Sequence, residues 1–258
     1  MTLNLHNLCD IKQTNPVRIR TGFDELDIAY GVNKVYDDFG KEIMWEVGPP
    51  RGRLSLWAGA GGVGKSRAAI SVCMNMSNLG YVPLYILNED DPENLASWVK
   101  TKNIPDEFYV LGSNQIEDHD QAINELSPDI VIVDSLTGME HIDSQRVIRD
   151  VMLFYKEAAH KYNCHIILIS HLNKEGIVKG NSDILYYPDH VCILKPLDFK
   201  GMSKDKIDKF DGKGYFMLKF GKNRGGLSNH LICFQHQEDG VILKTSTIIG
   251  YNDKGENQ

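Results

Sequence analysis

The chain has 258 residues, 42% hydrophobic and 24% charged, a balance that suits a globular protein with a full core and excludes a fibrous or disordered one. Its net charge of −7 argues against a surface coated in basic residues for nucleic acid and leaves room only for a localised basic channel. Apolar runs stop short of the roughly 18 residues of a membrane span. The N-terminus lacks a basic start followed by an apolar run, and the five scattered cysteines form no C-x-x-C pair. These features point to a cytoplasmic protein with reduced cysteines, no zinc site and no membrane partner.

Residues 1–20 read as an arm that ends in a short edge strand, Val17-Arg18-Ile19-Arg20. In TGFDELDI, residues 21–28, Thr21 precedes Asp24 by three positions and predicts a short capped helix. Residues 31–53 hold four glycines and two prolines and read as an excursion without a legible role.

The most informative stretch is LSLWAGAGGVGKS, residues 54–66. Residues 54–58 predict a buried strand and residues 67–79 a helix, with a glycine-rich loop between them that has the spacing of a phosphate-binding P-loop. Gly59, Gly61, Gly62 and Gly64 let backbone amides turn toward one point and leave room for phosphate oxygens. Ala60 and Val63 complete the loop, Lys65 brings a point charge, Ser66 a hydroxyl for Mg2+, and Arg67 opens the helix. The expected cofactors are ATP and Mg2+.

Residues 81–87 predict a second buried strand, which runs into Asn88-Glu89-Asp90-Asp91-Pro92. Ligands in open α/β sheets collect at the carboxyl ends of strands, so Glu89 is placed to deprotonate an attacking water. The same acids also suit the cap of a helix over residues 92–102. DIVIVDS, residues 129–135, is a β-branched run of the kind buried on both faces, and Asp134 at its end has the position of a Walker B carboxylate that joins Ser66 at the metal.

Residues 144–161 predict an amphipathic helix, and residues 164–170 a strand delivering His171 to the same sheet edge. His171 there either senses the γ-phosphate or satisfies local backbone groups. Residues 172–189 read as a loop with a short helical turn, in which Lys174 and Lys179 suit a phosphodiester backbone. Strands follow at 191–195, 215–222, 230–235 and 241–244. The lysine-rich segment 198–214 is nearly balanced in charge, so it reads as a solvated loop or as a DNA contact. Lys222 and Arg224 sit on an exposed turn, ordinary unless a neighbouring subunit's nucleotide lies opposite.

Taken together, TGFDELD, GAGGVGKS, YILNED, DIVIVDS, ISHLNKEG and GKNRGG resemble, in that order, the ATPase core of RadA/Sms proteins. More broadly they resemble the RecA-fold motors, which include DnaB-type helicases and KaiC. The resemblance covers about residues 17–245, and its most specific parts are the stretch beginning at His171 and the K-N-R turn.

It implies an α/β fold, RecA-like, with a central mostly parallel sheet flanked by helices and a C-terminal antiparallel extension. It further implies that Lys65 and Ser66 bind nucleotide and magnesium, Asp134 is the Walker B acid, and Glu89 is the catalytic carboxylate with Asp90 assisting. His171 becomes the sensor before a DNA-touching loop, and Lys222 and Arg224 act in trans across a subunit boundary. The implied function is an ATP-hydrolysing DNA motor or recombination/replication factor that assembles on single-stranded DNA as a hexameric ring or filament, with replication or recombination proteins as partners. The alternative is a KaiC-like regulatory ATPase acting on a protein partner without DNA.

Residues 21–250 are expected to form one domain with insertions at 31–49 and 198–214, followed by a tail at 251–258. RadA proteins carry a four-cysteine zinc motif and a Lon-protease-like domain that this sequence lacks. They also have Phe-Gly after K-N-R where Gly225-Gly226 stands here. The expectation is a stripped motor core of a bacterial or phage-infected cytosol, with branch migration of the RadA type in doubt.

Overall fold

A computed structural model describes residues 15–88, 91–99, 108–139, 145–172, 182–196, 215–227, 231–236 and 243–247. A short helix, α1 (Asp24–Tyr30), leads into a separate two-stranded hairpin, β1 (Val32–Tyr36) and β2 (Glu42–Val47). Then come β3 (Arg53–Gly59), α2 (Lys65–Asn78), β4 (Pro83–Leu87), α3 (Pro92–Val99), β5 (Tyr109–Gly112) and α4 (Ile116–Leu126). The rest comprises β6 (Ile130–Asp134), α5 (Gln145–Lys161), β7 (His165–His171), a 3-10 turn (Ser182–Leu185), β8 (His190–Pro196), β9 (Tyr215–Asn223), β10 (Leu231–His236) and β11 (Leu243–Thr247).

Nine strands form one sheet in the order β11-β10-β9-β8-β3-β7-β6-β4-β5. The pairs from β8 through β5 are parallel, whereas β8–β9, β9–β10 and β10–β11 are antiparallel. This is the α/β, mostly parallel sheet with a C-terminal antiparallel extension that the resemblance implies. The parallel strands are apolar throughout because both faces are covered. Trp57, Tyr85, Ile132 and Ile169 pack with residues of α1 and α2 on one side, and Leu56, Val133 and Leu168 with Tyr155 and Met152 of α5 on the other.

Several local expectations change. Thr21 does not cap α1, whose N-cap is Phe23 without a side-chain cap bond. Its hydroxyl and amide instead donate to Asp27 Oδ1 at 2.7 and 2.8 Å, because Asp27 is buried and needs donors more than the exposed helix end does. Residues 17–20 form only an isolated bridge, Arg18 to Pro50, and not a strand. The strand β5 and the helix α4 were not legible. In α4 the apolar positions Ile116, Ile123 and Leu126 are diluted by six acids and amides, and β5 spans only four residues.

Arg18 is the main polar staple of this region. Its buried guanidinium donates to Asn33 Oδ1 at 3.0 Å, Tyr30 O at 3.3 Å, Gly48 O at 2.8 Å and Gly225 O at 3.1 Å. One side chain thus ties both legs of the hairpin to the turn after β9.

Candidate active site

The loop from Gly59 to Gly64 leaves the carboxyl end of β3, the middle strand of the nine-stranded sheet. Gly62 (φ 75°) and Gly64 (φ 97°) adopt left-handed backbone that a side chain would strain. No protein atom lies within 4 Å of a Cβ built at Gly61 or Gly62, so packing does not demand glycine there. Backbone shape and open space do, as a polyphosphate cradle requires. At Gly59 the reason differs, since a Cβ would lie 2.8 Å from Leu194 O.

Lys65 begins α2 and is buried, with its ammonium donating to Gly59 O at 3.0 Å and Ala60 O at 2.9 Å. Its Nζ also lies 3.3 Å from His171 Nδ1. This meeting follows from register: β3 and β7 are parallel neighbours in which Gly59 pairs with His171, and Leu172 N donates to Gly59 O at 3.1 Å. Sensor candidate and P-loop lysine are therefore in direct contact. Val63 is buried, while Ala60, Ser66 and Arg67 are exposed at the mouth.

Asp134 ends β6 on the α2 side of the sheet. Leu87 pairs with Asp134 and Tyr85 with Ile132, so Tyr85 lies diagonally across from Asp134 on the same face. The Tyr85 hydroxyl donates to Asp134 Oδ2 at 2.6 Å. Burial, then the Asp134 charge, pushes the phenol well above its ordinary range, against a smaller opposing pull from the Ser66 side chain. Tyr85 therefore stays protonated and neighbours both candidate metal ligands. Sequence reading missed it, since a tyrosine inside an apolar strand looks like core; its only signal was a hydroxyl two residues before the strand end.

The exit of β4 is bound to the exit of β6, with Asn88 N donating to Asp134 O and Asn88 Nδ2 to Ser135 O, each at 2.9 Å. Glu89 and Asp90 follow directly in the chain and lie outside the described residues, as do Lys174, Lys179 and segment 198–214. Asp91 accepts from Glu93 N at 2.9 Å and starts α3, so one acid of the trio serves as a helix cap.

Lys222 and Arg224 are not part of this cluster. Asn223 pairs with His190 and His190 with Ser55, whereas Gly59 pairs with Leu194. Four residues at roughly 3.3 Å each put the turn about 13 Å along the sheet from the loop, at the opposite edge. Lys222 Nζ donates to Leu185 O at 3.2 Å and Tyr186 O at 3.0 Å, and burial, then Arg224, lowers its pKa. Arg224 pairs with the buried Asp189 at 3.3 Å and remains half exposed. Neither cation reaches the phosphate loop of its own chain.

The chain matches a family model described as an AAA domain over residues 45–176, just over half of its length. It is 26% identical over 241 residues to the DNA repair protein RadA of Streptococcus pyogenes serotype M6, covering 90% of this chain and 49% of that protein. Against the DNA repair protein RadA of Streptococcus pneumoniae the identity is 26% over 215 residues, covering 80% and 47%. Against that of Chlamydia pneumoniae it is 26% over 212 residues, covering 80% and 44%. The chain spans about half the length of the curated relatives it matches.

Proposed function

The chain belongs to the AAA domain family and has a RadA-like, RecA-fold ATPase core, and on that premise we propose that it hydrolyses ATP to drive work on DNA of the repair or recombination type. We propose further that it does so as an oligomer on single-stranded DNA, each subunit completing its neighbour's site. The observation that carries the reading is the convergence of Lys65, His171 and Asp134 at one sheet edge, around a glycine loop whose shape and openness suit a polyphosphate.

In this reading residues 59–67 hold the nucleotide, and Ser66 and Asp134 hold magnesium. Bound magnesium neutralises charge on the phosphate oxygens. Lys65 contributes a point charge from the start of α2, and the helix N-terminus adds its amides. Tyr85 keeps Asp134 oriented. Glu89 takes the proton of the attacking water. His171, touching Lys65, relays the state of the loop to the residues that follow β7. Support for action in trans comes from the placement of Lys222 and Arg224 at the far edge of the sheet. From there each serves only another copy's nucleotide, and a finger of this kind is worth ~10³-fold or more in rate.

The test is ATP hydrolysis with and without single-stranded DNA. Turnover is expected to rise with DNA and to vanish in Lys65→Ala. Arg224→Ala alone is expected to be slow, and an equal mixture with Lys65→Ala to recover part of the rate, because each variant supplies what the other lacks. A Glu89→Gln protein with normal turnover removes the carboxylate from the mechanism. Should DNA neither bind nor stimulate, the acidic net charge of −7 favours the regulatory ATPase acting on a protein.

A further inference from the structure

The insertion at residues 31–49 folds as the β1–β2 hairpin, outside the main sheet. Two-stranded hairpins are at best marginal in water, and this one is dressed with apolar side chains facing solvent. Val32, Tyr36, Phe39, Ile43, Met44 and Trp45 are all exposed, Phe39 by 95% and Trp45 by 57%. Among the described residues no other element shows such a concentration. Isolated exposed hydrophobics are ordinary; six on one sixteen-residue hairpin mark a surface that something covers.

Trp45 is held ready. Its Nε1 donates to Glu42, Lys34 Nζ stands 5.5 Å from its ring centroid, and Lys34 pairs with Glu42 at 2.8 Å. The polar edge of the indole is satisfied within the hairpin, which leaves the ring as preorganised apolar area. Registration places Trp45 opposite Lys34 and Val32 opposite Val47, on the same side of the ribbon as Tyr36.

We propose that the hairpin is a subunit clasp that packs on the neighbouring copy of this chain, beside the site reached by Lys222 and Arg224. Continuity with the end of β9 and the turn after it, which bear Lys222 and Arg224, argues for this occupant. Through Arg18, Gly48 O and Tyr30 O at the hairpin's two legs are joined to Gly225 O in the turn. Contact there is backbone to backbone: Leu227 N donates to Ala29 O at 3.1 Å, and a Cβ on Gly31 would lie 2.3 Å from Gly225 O. The root of the hairpin and the turn are thus bonded and packed together, so a subunit that meets Arg224 lies beside the hairpin. Exposed Leu227 and Tyr186 extend the apolar surface around the two cations. Charge argues against nucleic acid as the occupant. Residues 32–47 carry Asp37, Asp38, Glu42 and Glu46 against Lys34 and Lys41, a net of −2 that repels phosphate. The inference rests on the reading that subunits assemble with Arg224 facing a neighbour.

The experiment compares wild type with the double variant Ile43→Ser, Trp45→Ser by sedimentation velocity with a non-hydrolysable ATP analogue. The double variant is expected to need at least tenfold more protein to associate while binding the analogue as well as wild type does, which shows that its core is intact. In wild type, acrylamide quenching of the Trp45 emission, identified by difference from Trp45→Phe, is expected to fall as subunits associate. A double variant that assembles at wild-type concentration, or a Trp45 that stays fully quenchable in the assembly, overturns the clasp and leaves the assembly reading standing. Protection of Trp45 by single-stranded DNA without self-association also overturns it. A wild-type chain that stays monomeric with nucleotide at every concentration overturns both.

Discussion

The hydroxyl of Tyr85 donates a 2.6 Å hydrogen bond to Asp134 Oδ2 across two adjacent parallel strands. This joins a residue that reads as core to the residue that reads as the metal carboxylate. A hydrogen bond to a charged group contributes about 1.5–3 kcal/mol, here spent on orientation.

Tyr85→Phe keeps the ring and removes the donor, so the fold is expected to persist. The variant is expected to bind nucleotide normally without magnesium but to need roughly tenfold more magnesium for tight binding, the equivalent of about 1.4 kcal/mol. A magnesium titration with a fluorescent ATP analogue measures this apart from turnover. An unchanged midpoint would limit Tyr85 to packing.

Gly226 is fixed by close approach. A Cβ there would lie 2.2 Å from Tyr30 O and 2.5 Å from Ala29 O, both backbone atoms that cannot step aside. Gly226→Ala is therefore expected to destabilise by about 1–3 kcal/mol, in the range of overpacked cores. Thermal denaturation should show a drop of roughly 2–4 °C per kcal/mol for a chain of this size. Gly40, with nothing within 4 Å of its Cβ position, is the control. At that site only the positive φ of 76° resists alanine, and a smaller loss is expected.

Acid is expected to weaken the fold. His165 and His190 lie buried with ring centroids 5.7 Å apart, both meeting Ser55 Oγ, at 2.8 and 3.3 Å. Burial lowers both from 6.5, His165 to about 4 and His190 well below its ordinary value. Between pH 6.5 and 4 the unfolded chain binds protons that the folded chain refuses, so stability falls as pH drops through that window. Each ring contributes a slope of up to about 1.4 kcal/mol per pH unit. Asp27 acts in the opposite sense: burial raises its carboxyl from 3.8 to about 6, so the folded state protonates first and gains stability as pH falls between those values. Two rings outweigh one carboxyl. Urea midpoints should fall from neutral pH toward pH 5, and Asp27→Asn should steepen the fall.

Arg18 is expected to matter far more than its place in an N-terminal arm suggests. Arg18→Met leaves the carbonyls of Tyr30, Gly48 and Gly225 without their donor, a loss on the order of 3 kcal/mol. Faster amide exchange at Gly48 and Leu227 than in the rest of the protein would locate the damage at the hairpin root. Uniform exchange would mean that Arg18 acts only on global stability.

Much of the candidate site was legible in the amino-acid order because its signals are local. The P-loop needs glycine where the backbone turns left-handed, as at Gly62 and Gly64, and a lysine and serine at the start of the next helix. The strands around it are apolar runs because both faces are buried, and Asp134 marks where one of them ends. The tertiary structure decided what each of these meets. Register between strands far apart in sequence put His171 on Lys65 and Tyr85 beside Asp134, and it carried Lys222 and Arg224 to the opposite edge. It turned Thr21 from a cap into a partner of buried Asp27, and an illegible excursion into a hairpin bolted to the Arg224 turn by Arg18. Periodicity and turn chemistry act over a few residues and can be read along the chain. Strand order and register depend on which faces are buried against which, and only the folded sheet settles that.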